Sequence, residues 1–193
     1  MTDIEFLKAA LMEDVADGDH SSLSTVPEDA IGKAHLLVKD NGILSGLEVA
    51  KKVFEIVDPK ITLDIFKKDG EPIKIGDIVF IATGSSQNLL KAERLMLNLM
   101  QRMSGIATTT AIYANKTEGT IAKVLDTRKT TPNLRSFEKQ AVLHGGGHNH
   151  RFGLYDMIMI KDNHVDFAGG IKQALSKATD YVKSVKPGLK IEI

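Results

Sequence analysis

The residues able to do chemistry concentrate between Asp126 and His164, in three blocks: D-T-R-K-T-T-P-N-L-R, H-G-G-G-H-N-H-R and M-I-M-I-K-D-N-H. Seven basic residues lie in or beside this run (Lys123, Arg128, Lys129, Arg135, Lys139, Arg151, Lys161), against four acids (Asp126, Glu138, Asp156, Asp162). Four of the six histidines fall here too: His144, His148, His150 and His164. The whole chain is neutral, with 25 Lys+Arg and 25 Asp+Glu, so the positive charge is local. A focused positive cleft concentrates anions, and arginine's planar fork matches carboxylate and phosphate. The chemistry indicated is a pocket for a small, multiply charged anion.

Each block also has a structural reading. Gly145-Gly146-Gly147 follows a predicted helix, whereas a phosphate loop follows a strand and opens one, so a helix stop competes with a phosphate contact. H-G-G-G resembles an esterase oxyanion loop, but the chain has no G-x-S-x-G. His144, His148 and His150 lack the one-face spacing of a zinc helix, which favours structural or substrate-contacting roles. Arg128-Lys129 alone reads as a solvated pair. With His150-Arg151 and Lys161 in the same unit, the mutual repulsion amounts to several kcal/mol unless an anion offsets it.

The elements that must position these groups follow from periodicity. Helices are expected over 3–17 (Ile4, Leu7, Leu11, Val15), 47–57 and 89–104, with a polar loop from Ser21 to Pro27. Short strands are expected at 34–38, 61–65 and 78–82, giving an N-terminal α+β sandwich domain over 1–110. Leu89, Met96, Met100 and Met103 form a stripe read as core or subunit interface, and Arg102 stands near the carboxyl end of that helix. Over 111–193 the order becomes strand 121–125, helix 134–143, strand 157–160, helix 171–185 and strand 189–193. That is the start of an incomplete α/β barrel with Asp126–Lys129 and Lys161-Asp162 at strand ends, where such folds place their chemistry. Ala168-Gly169-Gly170 fits a helix start.

Composition narrows the class. At 193 residues with 42% hydrophobic content the chain can build one large or two small cores. It has no cysteine, no basic-then-apolar leader and no apolar run of spanning length, so a cytoplasmic setting is expected. Neutral charge argues against nucleic-acid binding.

D-T-R-K-T-T-P-N-L-R, G-G-G-H-N-H-R-F-G-L-Y-D and I-K-D-N-H closely resemble quinolinate phosphoribosyltransferase, a type II phosphoribosyltransferase also called nicotinate-nucleotide pyrophosphorylase (carboxylating). N-L-M-Q-R-M-S-G-I-A-T resembles that family's interface helix, and E-D-V-A-D-G-D-H-S-S more loosely its opening segment. The resemblance implies phosphoribosyl transfer from 5-phosphoribosyl-1-diphosphate to quinolinate with decarboxylation, in NAD biosynthesis, with Mg²⁺ on the diphosphate. It assigns Arg128, His150, Arg151 and Lys161 to quinolinate, places Lys129 between the substrates and gives Thr127 hydroxyl or backbone contacts. Arg102 resembles the arginine that reaches a neighbouring subunit's site, implying a homodimer or larger. Glu192 is the candidate carboxylate facing the ribose and Mg²⁺; with Lys129 it is the expected catalytic pair. Asn133 stands where many members have Gly, a benign change because Asn tolerates left-handed geometry. The further acidic strands and the Ser-Gly-Gly phosphate loop of the family are absent, so a truncated form lacking full activity is expected. The alternatives are a relative of the ModD type associated with molybdate transport, or a non-catalytic dimeric anion-binding fragment.

Overall fold

A computed structural model describes residues 2–193. The chain forms two compact units, the first containing residues up to Asp126 together with Thr130–His148, the second Thr127–Lys129 with Asn149–Ile193.

In the first unit, α1 (Asp3–Val15) opens on a capping box: Thr2 Oγ1 accepts the Glu5 N–H while the Thr2 N–H donates to Glu5. The expected polar loop is instead a short helix, α2 (His20–Thr25), because Asp19 accepts the Ser22 N–H and hydroxyl as an N-cap. β1 (Ile31–Leu37) and β3 (Thr62–Ile65) flank β5 (Ile78–Ser85) in an antiparallel sheet; β2 (Gly42–Ile43) pairs with β4 (Pro72–Ile73). α3 (Leu47–Val57) matches its expected bounds and buries Val49, Ala50, Val53 and Phe54, with Phe54 edge-on to Phe80. The sheet packs against α4 (Ser86–Lys116), whose Met96, Met100 and Met103 are core, as the Met/Leu stripe implied.

α4 runs 31 residues, twelve beyond the expected end at Ser104. The T-T-T segment is accommodated within the helix, where Thr109 and Thr110 return their hydroxyls to the carbonyls of Gly105 and Ile106. Arg102 is therefore mid-helix rather than at the dipole's negative end. α5 (Arg135–His144) packs on α4. The expected strand 121–125 is reduced to one parallel bridge, Leu125 to His148, since only that residue lies opposite to accept and donate.

In the second unit, β6 (Ile158–Met159) and β7 (Ile191–Glu192) pair in parallel, connected by α6 (Asp162–Ala168) and α7 (Ile171–Ser184). This is the βαβ unit expected of a partial barrel; the described residues close no barrel. α6 was not foreseen. Gly169 closes it in left-handed geometry and Gly170 leads into α7, so the glycine pair serves both a stop and a start.

Candidate active site

Seven of the eight candidate residues belong to the second unit. Thr127 Oγ1 accepts the Lys129 N–H at 3.0 Å, a local turn that fixes T-R-K. Arg128 is half-buried, and its Nε is fully shielded with no hydrogen-bond partner among the described residues. Within the unit none of Arg128, Lys129, Arg151 and Lys161 is paired with a carboxylate. Arg151 has only a long contact, Nη1 to the Met157 carbonyl at 3.4 Å. The turn beyond it is set by Asp156, which accepts the Phe152 and Gly153 N–H groups at 2.6 and 2.8 Å. A Cβ at Gly153 would stand 2.4 Å from the exposed Tyr155 ring, which a side chain there would displace.

His150 Nε2 lies 2.7 Å from Glu192 Oε2. A carboxylate only accepts, so Nε2 carries the proton. Met159 is the register partner of Glu192, and the Ile160 N–H donates to the Glu192 carbonyl at 2.7 Å. Lys161 follows in extended geometry (φ −125°, ψ 173°), two residues past Met159. Side chains two apart on a strand share a face, so Glu192 and Lys161 project to the same side of the β6–β7 ribbon, with His150 joined to Glu192 there. Lys161 is further held by its N–H, which donates to His164 Nδ1 at 3.0 Å.

The eighth candidate, Arg102, belongs to the first unit and is engaged within its own chain. Its Nε and Nη2 donate to Glu138 Oε1 at 2.8 and 2.5 Å, and Nη2 also donates to Thr131 Oγ1. Beside it, Lys139 and Asp126 form a buried ion pair at 2.5 Å, with side chains 2% and 7% exposed. The histidine and glycine readings resolve toward structure: His144 Nδ1 is 2.7 Å from the hydroxyl of buried Ser45. A Cβ on Gly145 would stand 2.3 Å from the Ala107 carbonyl, so the glycine run lets α5 stop hard against α4.

A cavity of about 300 Å³ in the second unit is lined by Arg151, His164 and Lys177 among mostly apolar walls, but by none of Arg128, Lys129, His150 and Lys161, so it does not bring Arg151 together with those four. Sequence reasoning did not single out Glu138, Thr131, Asp156 or His164 as partners. F-G-x-x-D, with a carboxylate a short step after two backbone donors, was the one local signal among them.

The family description "Quinolinate phosphoribosyl transferase, N-terminal domain" matches residues 19–104, and the corresponding C-terminal domain matches residues 106–193. The chain is 43% identical over 188 residues to a chloroplastic nicotinate-nucleotide pyrophosphorylase [carboxylating] of Arabidopsis thaliana, covering 97% of this chain and 53% of that protein. It is 42% identical over 174 residues to a probable nicotinate-nucleotide pyrophosphorylase [carboxylating] of Bacillus subtilis, covering 90% and 60%. The solved structure of NadC from Streptococcus pyogenes matches with a TM-score of 0.91 at 43% identity, over 98% of this chain and 67% of that one. A nicotinate-nucleotide pyrophosphorylase of Ehrlichia chaffeensis matches at 0.88 and 31% identity, over 100% and 70%. The chain spans about half the length of the curated plant relatives it matches. The chain belongs to the quinolinate phosphoribosyltransferase family.

Proposed function

We propose that the protein transfers the phosphoribosyl group of 5-phosphoribosyl-1-diphosphate to quinolinate, releasing diphosphate and CO₂ and giving nicotinate mononucleotide, in the cytoplasm. The observation that carries this reading is the unpaired cation set of the second unit, Arg128, Lys129, Arg151 and Lys161, with a shielded and orphaned Arg128 Nε. A shielded donor without a partner costs about 1–3 kcal/mol, so folding alone does not account for Arg128 being held there. The relatives' names supply the substrate class.

In this reading Arg128, Arg151 and Lys161 hold the two carboxylates, with His150 Nε2–H oriented by Glu192. Fixing the ring places its nitrogen against the ribose C1 as the bond to diphosphate breaks, so positioning supplies much of the rate. Positive charge developing on the ribose is met by the half-exposed Glu192 carboxylate. Lys129, beside Thr127, lies between the bound ring and the phosphoribosyl group. Once the ring nitrogen is quaternary, the adjacent C–CO₂⁻ bond breaks, its electrons pass toward the pyridinium, and a proton replaces CO₂.

Among the described residues no cluster of three or more carboxylates or histidines stands ready for a metal. Mg²⁺ keeps waters and binds through one or two carboxylates plus substrate phosphates. Glu192 is the carboxylate that would hold it, and Mg²⁺ when bound neutralises charge on the leaving diphosphate. We further assign Arg102 to a neighbouring subunit's site in a homodimer, on the strength of the family resemblance and its 44% exposure.

Calorimetric titration with quinolinate and with nicotinate tests the assignment. Quinolinate should bind at least about tenfold more tightly, because only it offers two carboxylates. Equal affinities would reject the dicarboxylate reading.

A further inference from the structure

We propose that Glu138 is a positioning residue whose buried carboxylate clamps one edge of Arg102 and so presents Nη1 as a fixed donor to an anion. This rests on the reading above that Arg102 contacts substrate. Glu138 is 7% exposed, in the first turn of α5, with Phe137, Lys139 and Ala141 buried around it. A carboxylate in such a place is tolerated only when its oxygens are paired. They are paired by Arg102 Nε and Nη2 on Oε1 and by the Thr131 N–H on Oε2 at 3.1 Å.

The donor count is what points beyond structure. Arginine has five N–H donors: one on Nε and two on each Nη. Nε gives its hydrogen to Glu138, and Nη2 gives its two to Glu138 and Thr131 Oγ1. Nη1 makes no hydrogen bond among the described residues, and the side chain is 44% exposed. Three donors are thus spent on locking the plane while two are left for a ligand. A free arginine must lose its rotamer freedom when it binds; this one has lost it on folding. Thr131 belongs to T-T-P, so the same carboxylate also ties down the loop that follows Arg128-Lys129.

A merely structural ion pair and a positioning pair would both lower stability when broken, but only the second couples to binding through Arg102. Quinolinate titration of the wild type, Glu138→Gln, Arg102→Ala and the double variant separates them. Gln keeps the shape but loses the charge and one of the two accepting arms. Glu138→Gln should weaken binding roughly tenfold when Arg102 is present and not at all in the Arg102→Ala background. Thr131→Val, at an exposed position, tests the same ring without touching a buried group. It should weaken binding by about threefold with Arg102 and by nothing without it, and it decides the matter if Glu138→Gln melts early. Equal losses in both backgrounds, or an unchanged affinity in either single variant, would overturn the positioning role. A wild type that fails to bind quinolinate would bring down the substrate assignment and this inference together. Normal binding with unmoved variants brings down the inference alone.

Discussion

In the larger unit the buried charges are matched within the chain. Lys139 meets Asp126, and Glu138 takes Arg102 and the Thr131 N–H, beside a core that runs from Leu7 through Phe54 and Phe80 to Phe137. In the smaller unit Arg128, Lys129, Arg151 and Lys161 have no carboxylate partner, and of its hydrophobic residues only Ile160 and Ala174 are buried. Leu154, Tyr155 and Phe167 are 72%, 68% and 91% exposed. Charge in the first unit is spent on holding the fold, and charge in the second is held back from folding. Cations stranded beside a thin core weaken the isolated unit, and a ligand bearing several negative charges offsets that weakness on binding.

The sharpest way to break this contrast is to remove a matched charge. Lys139→Ala leaves the Asp126 carboxylate buried without its cation and should destabilise the first unit by about 3–5 kcal/mol. Urea unfolding followed by far-UV circular dichroism measures it. A loss under about 1 kcal/mol would mean that water reaches the pair and that burial there is not a constraint.

Removing an unmatched charge should do the opposite. Arg151→Ala should cost about 2–5 kcal/mol of quinolinate affinity, as for truncating one side of a charged contact, while stability moves by no more than about 0.5 kcal/mol. Arg128→Met should also abolish tight binding, yet leave stability unchanged or raise it by about 1 kcal/mol, because the shielded Nε disappears. Paired melting and titration on each variant read both quantities. If Arg128→Met loses stability as Lys139→Ala does, the two units do not differ in how they use charge.

What the sequence made legible divides along the same line. α3 was readable to the residue because Val49, Ala50, Val53 and Phe54 repeat at helical spacing between Gly46 and Asp58-Pro59. The types of Arg128, His150, Arg151 and Lys161 were readable too, since a cluster of cations in a neutral chain stands out by composition, and Lys161 does follow a strand, β6. The pairings were not. Glu138 lies 36 residues from Arg102, and Glu192 lies 42 from His150. No periodicity reports a contact at that separation. The strand expected at 121–125 failed for a related reason: its apolar pattern is local, but a strand exists only where a neighbour supplies a ladder, and here one residue does. α4 overran its expected end through a threonine run that propensity counts against a helix, with two of the hydroxyls satisfied on the helix's own carbonyls.

The smallest effect asks whether partly exposed charge in the first unit is matched in the same sense as buried charge. Asp77 Oδ2 accepts Lys67 Nζ and the Lys74 N–H, each at 3.0 Å, at the turn into β5. The Lys67 contact first, and the Lys74 N–H after it, hold its carboxyl below the ordinary aspartate value. A depressed folded-state pKa stabilises the fold above the unfolded pKa of about 3.9, and that contribution is lost as pH falls through the lower folded value. Asp77→Asn removes the charge at every pH. Its deficit against the wild type should therefore be full near neutrality, shrink below about pH 4 and close once Asp77 itself is protonated. Because the pair is partly exposed, about 1 M salt should shrink the neutral-pH deficit as well. Melting temperatures of the two proteins from pH 7 to pH 2, at low and high salt, decide it. A deficit that stays constant with pH and salt would assign the turn to neutral hydrogen bonding and confine matched charge to the Lys139–Asp126 and Arg102–Glu138 pairs.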